Sequence, residues 1–244
     1  MNMVLILAGG RGVRYGGEVP KQYTMVLGQT VLGYTLQAFQ RAPEIDAIQV
    51  VCQGEYDQQV RDIARQAGVD KPLYLAPAGD SCPTSIRNGV MALRDVLSDD
   101  DVLLLHMSVS PLVSANDISQ AVRVCREKGC CFMMHPVLIC MACSGGDGFA
   151  DKDAPKENFV EMNTPWAFRY GAVYGLYRSL EARGRALGPS DYTLGLWLAE
   201  GRRAWYVPGD PPGRMKITTA HDRDIFEALL LREAWLAEKG GKPS

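Results

Sequence analysis

The sequence predicts an α/β protein whose mainly parallel sheet is covered by helices on both faces. Short apolar segments alternate with amphipathic segments over the first 129 residues. The apolar segments, such as MVLILAG and DDVLLLHMS, are continuous rather than alternating, which is typical of strands buried on both faces. Parallel sheets of this kind bind ligands at the carboxyl ends of their strands. The pattern therefore predicts both a fold class and the edge of the sheet where a site would lie.

The individual elements follow from the spacing of the apolar residues. Strands are predicted for MVLILAG, DAIQVVCQG, PLYLAPAG and DDVLLLHMS. Apolar residues recur every three or four positions in the segments between and after them, which predicts helices for TVLGYTLQAFQRA, EYDQQVRDIARQAG, PTSIRNGVMALRDVL and ANDISQAVRVCREKG. We expect Asn116 to cap the last of these helices and Gly129 to end it.

The rhythm changes after Gly129. CCFMMHPVLICMAC and ENFVEMNTPWAF are long β-type segments, and the polar, glycine-rich SGGDGFADKDAP between them predicts a turn. Together they predict a hairpin-like arm at about 131–168. The arm is apolar on more than one face, so we expect a partner subunit to cover part of it. Two further helices are predicted for GAVYGLYRSLEARG and SDYTLGLWLAEG, then a strand in RRAWYVPGD and a closing helix in AHDRDIFEALLLREAWLAEKG.

Composition narrows the function classes. The 244 residues are 47% hydrophobic and carry a net charge of −2, so we expect a single domain over 1–244 with no general attraction for nucleic acid or for an anionic membrane. The apolar start of the chain is short and lacks basic residues, which predicts a buried strand rather than a signal peptide. No later segment approaches the length of a membrane span. Seven cysteines, mostly in apolar stretches, indicate a reducing cytoplasm.

Four cysteines are candidates for a metal site, because Cys140 and Cys143 form a C-x-x-C pair. Cys130 and Cys131, however, are adjacent in a predicted strand and would point to opposite faces of the sheet. They cannot share one tetrahedral ion. The spacing therefore argues against zinc.

The segment LAGGRGVRYGGEVPKQY at residues 7–23 joins the first strand to the first helix. At this position, parallel α/β proteins bind phosphates through backbone amides. The dinucleotide motif G-x-G-x-x-G fails because Tyr15 stands at the third glycine, and the P-loop motif fails because Gln22 follows Lys21. The loop is long and presents Arg14 and Lys21 seven residues apart, which suits a triphosphate.

The string L-A-G-G-x-G-x-R-x-G-x-x-x-P-K-Q-Y resembles the 2-C-methyl-D-erythritol 4-phosphate cytidylyltransferase family and the related ribitol-5-phosphate cytidylyltransferases. AGDSCPTSIRNG is similar to the family's G-G-x-x-R-x-x-S-x-x-x-G, LLLHMSVSP to H-D-x-x-R-P, NTPWAF to Q-T-P-Q-x-F, SDYT to T-D-[DE]-A and GRMKITT to N-[IL]-K-[IV]-T. The resemblance covers nearly the whole chain. It implies a three-layer α/β/α nucleotidyltransferase fold, Rossmann-like, with a protruding β-arm that forms a homodimer.

The resemblance also implies a reaction. A phosphate oxygen of the acceptor attacks the α-phosphorus of CTP and pyrophosphate leaves, so catalysis is positioning and charge neutralisation. Arg14, Lys21 and Lys216 are the implied catalytic cations. Nucleotide contacts are implied at Ala8, Gly9, Gly10, Gly12, Gly79, Asp80 and Ser85. Acceptor contacts are implied at Cys140, Asp191 and Lys156, and Lys156 would reach the site of the neighbouring subunit.

Several positions depart from the family pattern. Met107 stands at the family's magnesium-binding aspartate and Ser110 at its arginine, and a thioether cannot replace a carboxylate as a ligand for Mg²⁺. We still expect Mg²⁺, held by the nucleotide phosphates, by water or by another carboxylate. Asp191 and Asp210 are candidates for that carboxylate, although a helix cap and a turn residue explain them equally well.

Two further departures concern the nucleotide segment and the acceptor segment, one in each. Cys82 stands at an arginine of the nucleotide segment, and residues 138–140, Leu-Ile-Cys, stand at the family's R-D-T. Apolar residues there would leave the hydroxyls of a polyol without partners. The motifs for the nucleotide are thus mostly intact, and those for the acceptor mostly are not.

We therefore expect a cytidylyltransferase that uses CTP and a small phosphorylated alcohol of the methylerythritol phosphate or ribitol phosphate type. Another phosphate or phosphonate acceptor is the alternative. A weakly catalytic nucleotide-binding homologue that acts through dimerisation or regulation is a second hypothesis. A dehydrogenase-like Rossmann protein, which NAD rather than CTP would stabilise, is a third.

Overall fold

The computed structural model describes residues 1–12, 15–16 and 19–239. Its strands are β1 (Asn2–Leu7), β2 (Met25–Val26), β3 (Gln29–Thr30), β4 (Ala47–Cys52), β5 (Leu73–Pro77), β6 (Val102–Met107), β7 (Cys130–Pro136), β8 (Met141–Gly146), β9 (Phe149–Ala154), β10 (Val160–Arg169) and β11 (Trp205–Pro208). The main sheet has the order β11-β7-β10-β6-β1-β4-β5. Within the described residues, β10 pairs antiparallel with β6 and β7, and the other pairs of this sheet are parallel.

The helices lie where the apolar periodicity predicts them. They are α1 (Val31–Arg41), α2 (Asp57–Gln66), α3 (Cys82–Met91), α4 (Ala115–Lys128), α5 (Tyr170–Ala182), α6 (Thr193–Ala199) and α7 (Ala220–Glu238). Gly129 ends α4 in the left-handed conformation, as expected. The expected cap Asn116 is wrong. Ser114 caps α4, because its hydroxyl accepts a hydrogen bond of 2.9 Å from the backbone N–H of Asp117.

The core forms two layers, one on each face of the main sheet. Side chains of β1 alternate between them, since Val4 and Ile6 pack against α1, α2 and α4, whereas Met3 and Leu5 pack against α3, α5 and α6. This arrangement confirms the predicted α/β/α architecture. Helix α7 lies outside these layers and is anchored through Phe226, which packs among Val26, Val31, Val109 and Ile217.

The predicted arm differs from the structure in its extent. β7 and β10 belong to the main sheet, and a separate two-stranded ribbon is formed by β8 and β9. The segment SGGDGFADKDAP was expected to be a turn, but it contains β9, so that interpretation is wrong. The side chains of β9 are exposed up to Ala154, so no apolar alternation marks this strand. The turn itself lies at 146–148, where all three residues have positive φ.

The parallel strands bring their carboxyl ends to one edge of the main sheet. Leu7 is paired with Met107 on one side and with Val51 on the other, and Val51 is paired with Ala76. The loops that follow β1, β5 and β6 therefore begin at the same level. Among the described residues, no helix combines the length and the apolar character needed to cross a membrane.

Candidate active site

The loop after β1 is held by a buried glutamine. Gln22 lies in a short 3-10 helix, Lys21–Tyr23, and its Nε2 donates hydrogen bonds to the backbone oxygens of Ala8 at 2.7 Å and Gly10 at 2.8 Å. Gln53, just after β4, donates to the backbone oxygen of Gly9 at 3.3 Å. These bonds occupy three carbonyl oxygens that would otherwise repel an anion. The Pro-Lys-Gln tripeptide thus fixes the backbone of the glycine loop.

The segment before α3 packs directly on this loop. A Cβ atom on Gly9 would lie 2.4 Å from the Cβ of Ala78, so only glycine permits this approach. The backbone N–H of Gly79 donates to Ser85 Oγ at 3.0 Å, and that hydroxyl donates to the backbone oxygen of Ser81 at 2.8 Å. The structure therefore brings Gly9, Gly79 and Ser85 together at the edge of the sheet. Asp80 is exposed beside them.

Two of the three predicted cations belong to segments that meet beside the glycine loop. Lys21 Nζ donates a hydrogen bond of 2.8 Å to the backbone oxygen of Ile217, which joins the glycine loop to the segment that carries Lys216. The exposed ammonium of Lys216 acts on Cys82, at the start of α3. Burial raises the pKa of the Cys82 thiol, and the charge of Lys216 lowers it in part. Arg14 lies outside the described residues. Gly12, at the tip of the loop, has a φ of +69°.

A cavity of about 360 Å³ adjoins the glycine loop on the side of β4. It is lined by Ala8, Gly9, Gly10, Arg11, Pro20, Gln22, Gln53, Glu55 and Tyr56. The carboxylate of Glu55 opposes a phosphate in this cavity. Arg11, in the same lining, brings a guanidinium to the cavity, so one side chain of each charge faces it.

The end of β6 does not provide ligands for Mg²⁺. Met107 is half-buried and packs against the layer of α3, α5 and α6 and against the cluster around Phe226, and Ser108 and Ser110 are buried. His106 Nε2 donates a hydrogen bond of 2.9 Å to the backbone oxygen of Ser110, and burial lowers the pKa of His106 to about 4. A thioether is a poor ligand for this hard cation, and this position offers no carboxylate in its place. Across the described ranges, no cluster of three or more acidic, histidine or cysteine side chains is arranged to hold a metal ion.

The two carboxylates considered as substitutes have other partners. Asp210 accepts from Ser114 Oγ at 2.6 Å and from Asn116 Nδ2 at 3.2 Å, and so ties the end of β11 to α4. Asp191 accepts from the backbone N–H of Gly188 at 2.8 Å and from Arg185 at 3.3 Å. Asp210 therefore links two distant elements, and Asp191 stabilises the turn at 188–191. The residues present therefore do not fit a magnesium ion held by protein carboxylates.

Two predicted acceptor contacts flank the ribbon of β8 and β9. Cys140 directly precedes β8, and Lys156 follows β9 in a short 3-10 helix, Lys156–Asn158. Both side chains are exposed. In the part of the chain that the structure describes, neither one makes a hydrogen bond or an ion pair. Both remain available to a ligand or to a partner subunit.

An aromatic pair at the same edge was missed by the sequence reasoning. Trp166 of β10 is 6% exposed, and its ring meets that of Tyr192 edge-on with 6.4 Å between the centroids. The indole Nε1 is buried and has no hydrogen-bond partner among the residues described. The motif NTPWAF contains Trp166, but its spacing gives no sign that Tyr192, 26 residues later, lies against it.

The chain is similar to known cytidylyltransferases. The family model for 2-C-methyl-D-erythritol 4-phosphate cytidylyltransferase matches residues 2–232. The chain is 30% identical over 239 residues to the 2-C-methyl-D-erythritol 4-phosphate cytidylyltransferase of Pelotomaculum thermopropionicum, covering 97% of this chain and 98% of that protein. It is 28% identical over 230 residues to the ribitol-5-phosphate cytidylyltransferase of Lacticaseibacillus paracasei, covering 94% and 98%.

Solved structures support the same fold. The 4-diphosphocytidyl-2C-methyl-D-erythritol synthase of Anaerococcus prevotii superposes with a TM-score of 0.78 at 21% identity, over 94% of this chain and 96% of that one. The Thermus thermophilus 2-C-methyl-D-erythritol 4-phosphate cytidylyltransferase gives a TM-score of 0.68 at 23% identity, over 93% and 97%. Because the family model matches the chain from Asn2, the first residue of β1, into α7, the chain belongs to the 2-C-methyl-D-erythritol 4-phosphate cytidylyltransferase family.

Proposed function

We propose that this protein is a cytidylyltransferase that transfers CMP from CTP to a small phosphorylated alcohol and releases pyrophosphate. Membership of the family supports the reaction, and relatives named for methylerythritol phosphate and for ribitol phosphate support the acceptor class. The observation that carries the proposal is the hydrogen bond from Lys21 Nζ to the backbone oxygen of Ile217. It joins the glycine loop and the Lys216 segment around one crevice.

The proposed reaction is an in-line displacement. An oxygen of the acceptor's phosphate forms a bond to the α-phosphorus of CTP, and the bond from that phosphorus to the bridging oxygen of pyrophosphate breaks. The phosphate nucleophile is already ionised near neutral pH, because its second pKa is about 6. No protein base is therefore needed, and the work of the protein is positioning and charge stabilisation.

We assign Lys21 and Lys216 to the negative charge that develops on the α-phosphate and the departing pyrophosphate, with Arg14 as a third cation. The backbone amides of Gly9 and Gly10 lie at the turn where phosphates approach closely. Removing one fixed charge at such a site typically costs about 3 kcal/mol of transition-state stabilisation.

The cytosine is proposed to lie beside Gly79 and Asp80. The Ser85 hydroxyl already accepts from the backbone of Gly79 and donates to the backbone of Ser81. Its role in this proposal is to hold the Gly79 turn in place rather than to contact the base. Because the donor set at Met107 does not fit Mg²⁺, we propose that any magnesium enters bound to the triphosphate, and no step above depends on it.

We also propose that the protein is a homodimer formed through the arm. Apolar side chains near the ribbon are unusually exposed, including Leu138 at 64%, Ile139 at 71% and Phe149 at 56%. Covering them with a second copy would remove this apolar surface from water. In the dimer, Lys156 and Cys140 of one subunit would meet the acceptor bound to the other. The seven unbridged thiols support a reducing, cytoplasmic location.

The dimer is tested by Ile139→Asp, with Leu231→Asp as a matched control, because Leu231 is an exposed leucine on α7. We expect the wild type and the control to elute as dimers in light-scattering chromatography, and Ile139→Asp to shift towards the monomer. A monomeric wild type would refute the dimer.

The reaction is tested by measuring pyrophosphate release from CTP with ribitol 5-phosphate, 2-C-methyl-D-erythritol 4-phosphate and other organic phosphates, with and without Mg²⁺. Release that requires both CTP and one acceptor is the expected result. Saturable binding of CTP without turnover on any acceptor would favour the weakly catalytic homologue instead. Thermal stabilisation by NAD and none by CTP would favour the dehydrogenase-like alternative.

A further inference from the structure

We propose that Tyr192 is a specificity-determining residue for the acceptor: its hydroxyl bonds one hydroxyl group of the phosphorylated polyol, and its ring, seated on Trp166, packs against the polyol's carbon chain. The inference rests on the proposed function, because it concerns the second substrate of the same crevice. It deepens that function by naming a residue that binds the body of the acceptor and not its phosphate.

Two departures from the family pattern meet in space. Trp166 stands at the second glutamine of the motif Q-T-P-Q-x-F, and Tyr192 stands at the acidic residue of T-D-[DE]-A. In the structure their rings meet edge-on, with 6.4 Å between the centroids and 83° between the planes. Two positions that are polar in the pattern are therefore aromatic here and in contact. The chain differs from the pattern at one joint surface, not at two separate points.

The direction of β10 places this surface at the edge of the site. β10 runs antiparallel to β6, and Trp166 is paired with Leu105, two residues before β6 ends at Met107. The residues that precede Trp166, including Thr164, therefore lie towards the carboxyl end of β6. The nucleotide segments follow β1 and β5, on the opposite side of β6 from β10. The aromatic pair thus bounds the side of the crevice that the nucleotide segments leave open.

A second line of contacts connects Tyr192 with a proposed cation. Tyr192 directly precedes α6, and Thr193, the first residue of that helix, shares a hydrogen bond of 2.7 Å between its Oγ1 and Tyr177 Oη. Burial raises the pKa of the Tyr177 hydroxyl, and the thiol of Cys82 near it adds to the rise. The charge of Lys216 acts on the same thiol. The start of α6 therefore lies on the same side of the molecule as the start of α3 and Lys216.

Tyr192 is the member of the pair that a ligand can reach. It is 40% exposed, whereas Trp166 is 6% exposed. Throughout the described ranges the Tyr192 hydroxyl makes no hydrogen bond, and the same is true of the hydroxyls of Thr164 and Ser190, which lie near the pair in the sequence. A phenol hydroxyl both donates and accepts, as the hydroxyl of a polyol does. A polyol would therefore find partners at this surface.

The buried indole gives the phenol a fixed position. Edge-to-face pairs of aromatic rings are favourable beyond the area that they bury. The ring of Tyr192 is therefore held in place before the acceptor arrives, and binding does not have to order it. In this arrangement Trp166 is a positioning residue, because it acts on the acceptor through Tyr192.

The test measures pyrophosphate release by the wild type, Tyr192→Phe and Tyr192→Leu with CTP and either ribitol 5-phosphate or 2-C-methyl-D-erythritol 4-phosphate. For the acceptor that the wild type uses better, Tyr192→Phe should raise KM about five- to tenfold, because one neutral hydrogen bond is lost. Tyr192→Leu should raise it further, because the ring is lost as well. The kcat and the KM for CTP should not change, since Tyr192 contacts neither the nucleotide nor the reacting phosphate.

Two further variants complete the design. Tyr206→Phe is the matched control, because Tyr206 is an exposed tyrosine on the edge strand β11, and it should behave as the wild type. Trp166→Leu should raise KM for the acceptor about as much as Tyr192→Phe does. Combining Trp166→Leu with Tyr192→Phe should add little to either change, because both remove the same hydrogen bond.

The outcomes separate the inference from the proposed function. An unchanged KM for the acceptor in Tyr192→Phe overturns the inference while the proposed function stands, and so does a fall in kcat at constant KM. Tyr192→Phe removes one oxygen from an exposed side chain, so it keeps the test decisive if Trp166→Leu fails to fold. No pyrophosphate release by the wild type with any polyol phosphate overturns the proposed function and the inference with it.

Discussion

Replacing Gly9 by alanine tests the packing that joins the two nucleotide segments. The added Cβ would lie 2.4 Å from the Cβ of Ala78. Carbon atoms in favourable contact are about 3.5–4.0 Å apart, so the glycine loop and the Gly79 segment must separate by about 1 Å. Gly9 does not have a positive φ. The cost therefore comes from the contact and not from backbone strain.

The expected magnitude follows from two opposing terms. Overpacking of this kind costs about 1–3 kcal/mol. A glycine-to-alanine change at a compatible φ returns about 0.4–1 kcal/mol by restricting the unfolded chain. We therefore expect the free energy of unfolding to fall by about 1–2 kcal/mol. A displacement of about 1 Å at a reacting centre can cost about a hundredfold in rate, so pyrophosphate release should fall by a similar factor.

Urea unfolding and pyrophosphate release measure the two effects. Gly10→Ala is the control for stability, because a Cβ at Gly10 has nothing within 4 Å. The double variant Gly9→Ala with Ala78→Gly removes the clashing methyl group and should recover most of the lost stability and rate. The reasoning fails if Gly9→Ala is as stable and active as the wild type, or if the double variant is no better than the single one.

The remaining predictions address the cation, the buried histidine and the metal position. Lys21→Met should lower the rate of pyrophosphate release about 10²–10³-fold, as expected for a lost charge at the transition state. Lys71→Met is the control, because Lys71 bonds the backbone oxygens of Phe39 and Ala42. It should alter the free energy of unfolding but not the rate. The pKa of His106 is about 4 in the folded chain, against 6.5 for the unperturbed group. Between pH 6.5 and pH 4 the unfolded state therefore binds more protons than the folded state, and the free energy of unfolding falls as the pH drops. From about pH 6.5 to about pH 5 the wild type should lose about 2 kcal/mol more than His106→Gln in urea unfolding; equal losses would show that His106 does not titrate in this way. Met107→Asp should make turnover more dependent on Mg²⁺ than Met107→Asn does, and identical magnesium titrations would show that the ion does not approach β6.

The strands of the main sheet could be predicted because burial on both faces leaves a local mark. A continuous apolar run such as VLLL in β6 can be recognised without knowledge of the neighbouring strands. The β8–β9 ribbon has no such apolar pattern, because its side chains are mostly exposed, and the polar sequence of β9 is typical of a turn. The short hairpin of β2 and β3 was missed for a different reason, because each strand has only two residues.

The site was predictable where chemistry depends on local spacing. Gly9, Gly10 and Lys21 lie within one loop after a strand, and the string that contains them predicts a phosphate site. The role of Gln22 was not predictable, because it depends on which backbone oxygens its amide reaches. The same holds for Asp210, whose partners Ser114 and Asn116 are distant in sequence. Residue type identifies such a carboxylate, but only the fold shows whether it is free to bind a ligand.

The central claim is that the crevice between the glycine loop and the Lys216 segment holds the triphosphate of CTP. Calorimetric titration with CTP and, separately, with CMP tests it most directly, because the two ligands share the base and ribose and differ in the phosphates that Lys21 and Lys216 would contact. We predict that CTP binds with a saturable heat and at least about tenfold more tightly than CMP, as charge-assisted contacts to the added phosphates require. Equal affinities for CTP and CMP, or no heat with either, would contradict the account.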